Sequence, residues 1–287
     1  MSTSPSPFRF SHRLRVRWAE VDMQRIVFNA HYLMYLDTAV TDYWRALALP
    51  YQATMHDLGG DLYVKKSTLE YHASARFDDT LDVRMRCARI GNSSMVFEGE
   101  IRCGDALLIS AELVYVFADP LTQKSKPVPQ ALRDTLTAFE AGESMVQVEV
   151  GNWATLQAPS TQLRNDVFLQ EQGIAAGVVF DAADEMALHA VATNRLGRVV
   201  GAGRMLQQAP GVGRIGRMAV DRAVRGSRVG LWVLNALLDA AKARDDREVM
   251  LHAQISAEAF YLKRGFVIRG DYFLEAGITH IEMVLPL

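Results

Sequence analysis

The chain has 287 residues; 49% of them are hydrophobic, 22% are charged, and the formal net charge at pH 7 is −2. This length suits two domains of about 140 residues each, and a charge so near zero excludes an overall field that would attract nucleic acid or an anionic membrane. The opening MSTSPSPF lacks the basic and apolar segments of a secretory signal, and no run approaches the roughly 18 apolar residues of a membrane span. The sequence has only two cysteines, too few for a disulfide framework, so we expect a protein of the reducing cytoplasm.

The histidines and cysteines show no spacing typical of a metal site. The seven histidines are scattered without a His-x-x-x-His pair, and there is no Cys-x-x-Cys. The Gly-x-Ser-x-Gly turn of the serine hydrolases is also absent from the sequence. We therefore expect neither a bound metal nor a serine nucleophile.

The first half predicts one strand, one long helix and then a run of strands. From Tyr32, apolar and aromatic residues recur at helical spacing until Pro50 ends the pattern. Four alternating or apolar segments follow, and they predict strands at 62–72, 80–90, 95–103 and 107–118. A single helix with consecutive antiparallel strands favours an α+β domain whose sheet packs one face on the helix. We place this domain at 1–139 and a linker at 140–145, around EAGES.

The second half, 146–287, alternates between strand and helix patterns. The predicted helices lie at 161–172, 229–244 and 257–263. The predicted strands lie between and around them, at 146–153, 187–194, 199–207, 215–220, 249–253 and 266–285. This order is typical of an α/β domain with a mixed central sheet and flanking helices.

Asp22 lies in a polar connection between a strand-like segment and the long helix, in VRWAEVDMQRIVFNAHY. Aspartate often caps helices, but a cap must lie within two or three residues of the amides that it satisfies. The steady helical period begins near Ala30, so Asn29 is the better candidate for the cap. On the residues alone, Asp22 is either a solvated turn residue or a carboxylate available for chemistry.

Three segments of the first half carry a family resemblance: RVRWAEVDMQRIVFNAHYLMYLD, VKKSTLEYHASARFDDTLDV and ELVYVFADPLTQKSKPVP. Residues 9–138 resemble the hotdog-fold acyl-CoA thioesterases of the 4-hydroxybenzoyl-CoA thioesterase type. The resemblance implies that Asp22 attacks the thioester or activates water, and that amides at the helix start polarise the thioester carbonyl, at Val27, Phe28 and Asn29. It also implies a homo-oligomer, a dimer or tetramer formed through this domain. Arg25 departs from the family, in which glycine or histidine is common at this position.

A second motif is the turn RGSRVG between a predicted strand and a predicted helix. Successive amides at a helix amino end can hold a pyrophosphate, and glycine permits its close approach. The bare pattern fits a plain strand-to-helix turn equally well. The arginines Arg222, Arg225 and Arg228 then serve only as surface charges.

Segments throughout the second half carry another resemblance, including GRVVGAGRML, RIGRMAVDRAVRGSRVG and AQISAEAFYLKRGF. Residues 146–287 resemble the GNAT acetyltransferases, and within them the ElaA-like group. The resemblance implies that Met218 and Val220 align the pantetheine arm and that Tyr261 protonates the departing CoA thiolate. It implies that the turn binds the pyrophosphate of acetyl-CoA through Arg225, Gly226, Ser227, Arg228, Val229 and Gly230.

The base that accepts a proton from the acceptor is left open by the sequence. Glu171, Asp184 and His189 match motif positions of the group, and each fits a structural role equally well. Arg228 stands where the family usually has glycine, so its side chain either turns away from the phosphate or binds it.

The two resemblances together predict a bifunctional enzyme that uses acyl-CoA or acetyl-CoA as substrate and requires no metal. The first domain would hydrolyse acyl-CoA thioesters, and the second would transfer an acyl group from CoA to an unidentified amine. Two alternatives stay open. One is a CoA-binding regulatory or scaffolding protein with one degenerate domain, and the other is a thioesterase with a structural second half.

Overall fold

The computed structural model describes residues 8–287, which form two sheets, each with its own helices. The chain divides into two units, Met1–Met145 and Val146–Leu287. Within the described residues, none of the helices is long and apolar enough to cross a membrane.

The first unit is a five-stranded sheet with three helices. The α-helices are α1 (Asn29–Ala46), α2 (Tyr51–Asp57) and α3 (Gln130–Ala141). The strands are β1 (Phe10–Arg15), β2 (Asp61–Tyr71), β3 (Thr80–Ile90), β4 (Ser94–Cys103) and β5 (Ala106–Ala118). The strands lie in the order β1-β3-β4-β5-β2, and all neighbours are antiparallel. The predicted fold of one long helix on an antiparallel sheet is confirmed.

Helix α1 packs closely against the sheet because one of its faces is apolar and β4 provides room for it. Tyr32, Leu36 and Tyr43 recur at helical spacing and are buried. A Cβ on Gly99 of β4 would lie 2.9 Å from Cδ2 of Leu36, so the glycine makes room for this side chain. The contact lies near the middle of α1.

The second unit is a seven-stranded mixed sheet with four α-helices. The helices are α4 (Trp153–Arg164), α5 (Ala176–Val179), α6 (Val229–Ala243) and α7 (Glu258–Leu262). The strands are β6 (Val146–Gly151), β7 (Leu188–Asn194), β8 (Val199–Ala209), β9 (Val212–Val220), β10 (Glu248–Gln254), β11 (Val267–Glu275) and β12 (Ile278–Pro286). The strands lie in the order β11-β12-β10-β9-β8-β7-β6, and among these neighbours only the β9–β10 pair is parallel. The predicted mixed sheet with flanking helices is confirmed.

Several predicted element bounds are wrong. Helix α4 begins at Trp153, well before the predicted start at 161, because the side chain of Asn152 accepts the amide of Thr155 and caps the helix there. A π-helical segment, Asn165–Glu171, continues it. Helix α2 was not predicted. Helix α3 extends into the predicted linker and ends where Gly142 adopts φ 94°.

A buried ion network holds the end of α4 to the sheet. Arg164 is only 1% exposed, and its Nη1 and Nη2 lie 2.9 and 3.0 Å from the two carboxylate oxygens of Asp184. Nη1 of Arg204 on β8 lies 2.7 Å from Asp184 Oδ1. Arg204 also donates to both oxygens of Asp181, at 2.8 and 2.9 Å. Two carboxylates thus balance the guanidinium charges of α4 and β8.

Aromatic rings complete the surroundings of Arg164. Its guanidinium carbon lies 4.7 Å from the ring centroid of Phe180 and 5.4 Å from that of Trp153. Such a site excludes water, so the charge of Arg164 depends on Asp184 for its compensation.

We expect Asp184→Ala to lower the free energy of unfolding by about 3–5 kcal/mol, because it leaves two buried guanidinium groups without their shared carboxylate. Chemical denaturation of the two proteins measures this difference. The matched control is Asp166→Asn, which changes an exposed carboxylate on the π-helical segment and is expected to cost less than about 0.5 kcal/mol. Equal losses in the two variants would contradict a special role for Asp184.

The same network predicts a loss of stability in acid. Hydrogen bonds from Arg204 lower the pKa of Asp181 to about 2. Although burial opposes its ionisation, hydrogen bonds from Arg164 and Arg204 also lower the pKa of Asp184. Unfolded aspartates titrate near about 3.9, so this stabilisation is complete above about pH 5 and is lost as the pH falls towards 2. Between pH 6 and pH 3 the free energy of unfolding should decline, and this decline should be smaller in Asp184→Ala than in the wild type. If the free energies of the two proteins fall in parallel with pH, the ion network is not the origin of the acid sensitivity.

Candidate functional site

Asp22 in the first unit lies in a tight turn that its own side chain helps to close. The amide of Asp22 donates to the Ile26 carbonyl, and the amide of Arg25 donates to the Asp22 carbonyl, each at 2.9 Å. Oδ1 of Asp22 accepts the Gln24 amide at 2.8 Å, whereas Oδ2 has no hydrogen-bond partner among residues 8–287. Burial raises the pKa of Tyr32 on α1, and nearby Asp22 adds to this rise. One oxygen therefore fixes the turn, and the other is available.

Glu20, which sequence analysis missed, is a buried residue that links the segment before the Asp22 turn to helix α1. It is 6% exposed, and its Oε2 lies 2.7 Å from both the Arg17 amide and the Tyr35 hydroxyl. Burial and the hydrogen bond to Glu20 raise the pKa of Tyr35, which stays protonated as the donor. The carbonyl of Glu20 accepts the Phe28 amide at 3.0 Å.

The structure changes the assignment of the amides at the start of α1. The Val27 amide donates to Ala75 and the Phe28 amide donates to Glu20, so neither predicted donor is free. Within the described chain, the amides of Asn29 and Ala30 have no acceptor. The prediction that Asn29 caps the helix is wrong, because Phe28 occupies the cap position and Asn29 is the first helical residue. Anion-binding capacity at this helix start therefore begins at Asn29.

An apolar groove of about 480 Å³ begins beside these amides. Helix α1 lines it with Ala30, Leu33 and Met34, and the sheet lines it with Val64 and Leu113 among others. Ala30 lines the groove, and its amide is free. A ligand whose polar group binds the amides at the helix start could therefore place an apolar tail in the groove.

The second unit contains an opening between two parallel strands. Strands β9 and β10 pair only from Val212↔Glu248 to Ile215↔Leu251. Within the described residues, no pairing joins 216–220 to 252–254, although both strands continue. On its other side β9 pairs with β8, with a bulge around Met218. The predicted pantetheine residue Met218 thus lies on a strand edge with unpaired backbone groups.

A cavity of about 380 Å³ lies at this opening, and Met218 and Tyr261 both line it. Tyr261 on α7 is 7% exposed, and its hydroxyl has no hydrogen-bond partner among the described residues. Burial raises its pKa, so the hydroxyl stays protonated. The carbonyl of Val220, the other predicted pantetheine residue, accepts Nε of Arg225 at 3.2 Å.

The turn before α6 presents several free amides. In residues 8–287, the amides of Gly226, Arg228, Val229 and Gly230 have no acceptor. Gly226 adopts φ 91° and Arg228, at the cap position of α6, adopts φ 71°. Left-handed backbone of this kind turns successive amides towards one side, which suits a phosphate group.

Two predicted residues of the turn have internal partners instead. The guanidinium of Arg225 forms a two-pronged ion pair with Glu171, at 2.6 and 2.7 Å. The Ser227 amide and hydroxyl both donate to the Val224 carbonyl, at 3.2 and 2.6 Å. Arg225 and Ser227 therefore both have partners within the second unit that help to shape the turn.

The three candidate bases have structural partners. Glu171 pairs with Arg225, and this hydrogen bond lowers the pKa of Glu171. Asp184 belongs to the buried ion network. His189 is 1% exposed, its Nε2 donates to the Asp184 carbonyl at 2.9 Å, and burial lowers its pKa. None of the three lines the cavity that contains Tyr261.

Two residues that sequence analysis missed line this cavity and contact each other, His252 on β10 and Glu275 on β11. Only the strand order places them together, because they lie on strands separated by β12. Their spacing in the sequence carries no signal of contact. Across residues 8–287, no group of three or more histidine, cysteine or acidic side chains is arranged to hold a metal ion.

Comparisons with known proteins agree with this division. Residues 16–136 match the family model described as the thioesterase-like superfamily, and residues 167–287 match that of the acetyltransferase (GNAT) domain. Over 124 residues the chain is 31% identical to the acyl-CoA thioester hydrolase YbgC of Escherichia coli, a match that covers 43% of this chain and 92% of that protein. Over 123 residues it is 33% identical to the uncharacterized N-acetyltransferase YjcF of Bacillus subtilis, covering 42% of this chain and 86% of that protein.

Among solved structures, the chain is similar to a 1,4-dihydroxy-2-naphthoyl-CoA thioesterase from Synechocystis, with 20% identity and a TM-score of 0.41. That similarity covers 45% of this chain and 95% of the other. The two family models match different halves of the chain, and so do the YbgC and YjcF relatives. The chain belongs to the thioesterase-like superfamily through its first half and to the GNAT acetyltransferases through its second.

Proposed function

We propose that the chain is a bifunctional enzyme of acyl-CoA chemistry. The first unit hydrolyses acyl-CoA thioesters, and the second transfers an acetyl or other acyl group from CoA to an amine. The observation that carries this proposal is shared by the two units. Each unit has a helix that begins with free amides, α1 or α6, and a candidate reacting side chain, Asp22 in the first unit and Tyr261 in the second.

In the first unit, the amides of Asn29 and Ala30 would hold the thioester carbonyl oxygen, and the apolar groove would hold the acyl group. A negative charge develops on that oxygen during attack, and one well-placed amide donor stabilises it by roughly 2.7–4 kcal/mol. Oδ2 of Asp22 would take a proton from the attacking water or itself attack the carbonyl carbon. Hydrolysis ends with the acid and the CoA thiol.

In the second unit, the free amides of the turn before α6 would bind the CoA pyrophosphate, at Gly226, Arg228, Val229 and Gly230. The unpaired edge of β9 around Met218 would align the pantetheine arm along the opening. The carbonyl carbon would then lie in the cavity that Tyr261 lines. Because burial keeps its hydroxyl protonated, Tyr261 can protonate the departing thiolate.

We propose a homo-oligomer, at least a dimer, formed through the first unit. Strand β2 is the edge of the five-stranded sheet, and most of its residues are exposed. Its apolar side chains include Tyr63 and Val64, which are 38% and 54% exposed, and α1 adds Leu33 and Met34 at 41% and 44%. An edge strand with apolar side chains is suited to pairing with a second copy.

We expect Asp22→Asn to lower the rate of acyl-CoA hydrolysis by about 10²–10⁴, because the amide cannot accept a proton or attack as a carboxylate does. The amide oxygen can still accept the Gln24 amide, so the turn is expected to persist. Hydrolysis of a panel of aliphatic and aromatic acyl-CoA thioesters, followed by thiol release, measures the effect.

Asp134→Asn is the matched control for this change, since Asp134 is an exposed carboxylate on α3 that accepts Gln130 Nε2. Its rate should equal that of the wild type. An Asp22→Asn protein with unchanged hydrolysis would remove Asp22 from the reaction and favour a regulatory or scaffolding role for the first unit.

We expect Gly226→Val to weaken acetyl-CoA binding at least about tenfold, because valine strongly disfavours the φ of 91° that turns the amides inwards. Arg228→Gly should keep its affinity within about threefold, because glycine retains the amide and adopts φ 71° readily. Isothermal titration calorimetry with acetyl-CoA measures the two affinities.

Asp22→Asn serves as the background for these measurements, so that the first unit does not consume the ligand. If the wild-type turn binds no acetyl-CoA on this background, the second unit is structural and the transferase proposal fails. A large loss in Arg228→Gly would show that the guanidinium of Arg228, rather than its amide, binds the phosphate.

A further inference from the structure

The cavity of the second unit contains an ionisable pair that the proposed reaction does not yet use. His252 Nδ1 lies 2.8 Å from Glu275 Oε2, and both residues line the cavity. The side chain of His252 is 23% exposed and that of Glu275 is 38% exposed. A pair that is held together and still open to solvent is accessible to an incoming substrate.

The position of His252 in the sheet is specific. It follows directly on Leu251, the last residue of β10 that pairs with β9. His252 therefore stands where the two strands part. Tyr261 and Met218 line the same cavity, so the candidate acid and the candidate pantetheine strand face the same space.

We infer that His252, oriented by Glu275, is the base that accepts a proton from the amine acceptor of the acyl transfer. The inference rests on the proposed transferase activity of this unit. Glu275 Oε2, which can only accept, lies closer to Nδ1 than Arg214 Nη2, which can only donate, at 2.8 against 3.2 Å. Nδ1 therefore carries the proton and donates it to Glu275, and the lone pair of Nε2 is left as the proton acceptor. Glu275 is thus a positioning residue, and the acceptor is a primary amine that arrives as an ammonium ion.

The charges around the imidazole suit a cationic acceptor. Glu275 on β11 contacts Nδ1, and Glu282 Oε2 on β12 lies 3.8 Å from Nε2. Glu282 is also paired with Arg269. Nη2 of Arg214 on β9 lies 3.2 Å from Nδ1 and adds a fixed positive charge.

His280 on β12 lines the same cavity, and its Nδ1 lies 2.8 Å from the Ile278 carbonyl. The ring of Phe273 packs edge-on against His252, with centroids 4.8 Å apart. The imidazole thus lies between two carboxylates, which attract an ammonium ion, and one guanidinium.

The proton and bond changes balance without a further reactant. The ammonium gives one proton to Nε2 of His252, and the neutral nitrogen forms a bond to the acyl carbon. The C–S bond then breaks, and the thiolate takes the proton of the Tyr261 hydroxyl. The excess proton on the new amide nitrogen restores Tyr261, and His252 returns its proton to solvent. The products are the amide and the CoA thiol.

The test compares the wild type with His252→Gln and Glu275→Gln, each on the Asp22→Asn background, using acetyl-CoA with lysine, glucosamine, tyramine and spermidine as amine probes. We expect His252→Gln to lower kcat at pH 7 by about 10²–10⁴ without changing the Kd of acetyl-CoA. Added imidazole should restore part of the kcat that His252→Gln loses, because it can accept the proton in place of the missing side chain.

Glu275→Gln should give a smaller loss of kcat, also with an unchanged Kd of acetyl-CoA, and added imidazole should not restore it, as expected for a positioning residue whose partner His252 is still present. His56→Gln, which changes an exposed histidine of α2, is the matched control and should behave as the wild type. A His252→Gln protein with the wild-type kcat would overturn the inference while leaving the transferase proposal intact. A wild type that binds acetyl-CoA and acetylates none of the probes would also overturn the inference of a primary-amine acceptor. A wild type that does not bind acetyl-CoA would instead overturn the transferase proposal on which the inference rests.

Discussion

Every α-helix begins with amides that have no partner inside the helix, and most chains satisfy them with a side-chain cap. Among the α-helices of residues 8–287, only α4 has a side-chain cap, where Asn152 accepts the amide of Thr155. At the starts of α1 and α6, neither Phe28 nor Arg228 provides a side-chain hydrogen bond. The two proposed sites use the amides that are left free at these two helices. Both proposed activities therefore depend on one constraint: a helix amino end kept free for a ligand.

Keeping those ends open requires backbone conformations that side chains disfavour. Arg25 in the Asp22 turn adopts φ 63°, and Arg228 before α6 adopts φ 71°. A non-glycine residue in this region is destabilised by about 1–2 kcal/mol, so neighbouring contacts must hold it. In the first unit the hydrogen bonds of Glu20 supply that support, and in the second the ion pair of Glu171 with Arg225 does. Residues that touch no ligand thus decide the shape of both turns.

The sequence predicted the elements better than the partners within them. The helical period from Tyr32 predicted α1, and alternation predicted its antiparallel sheet, because both patterns are local. The free amides could not be assigned in this way. Whether Val27 and Phe28 are free depends on carbonyls of Ala75 and Glu20, which only the fold brings near. The prediction that Asn29 caps α1 failed for the same reason. A cap at Asn29 would start the helix at Ala30, and no local signal shows that the helix begins at Asn29 itself.

In the second unit, catalytic residues could not be assigned from the sequence for the same reason. Motif positions suggested Glu171, Asp184 and His189 as bases, yet each is occupied by a structural contact. Tyr261 is more deeply buried than His252, as their proposed roles of acid and base require. Tyr261 is enclosed, which keeps a phenol protonated and able to donate. His252 remains partly exposed, so an imidazole there can exchange its proton with solvent between turnovers. An acid shielded from water and a base open to it line one cavity where β9 and β10 part, which suits the separate proton transfers that the two proposed roles require.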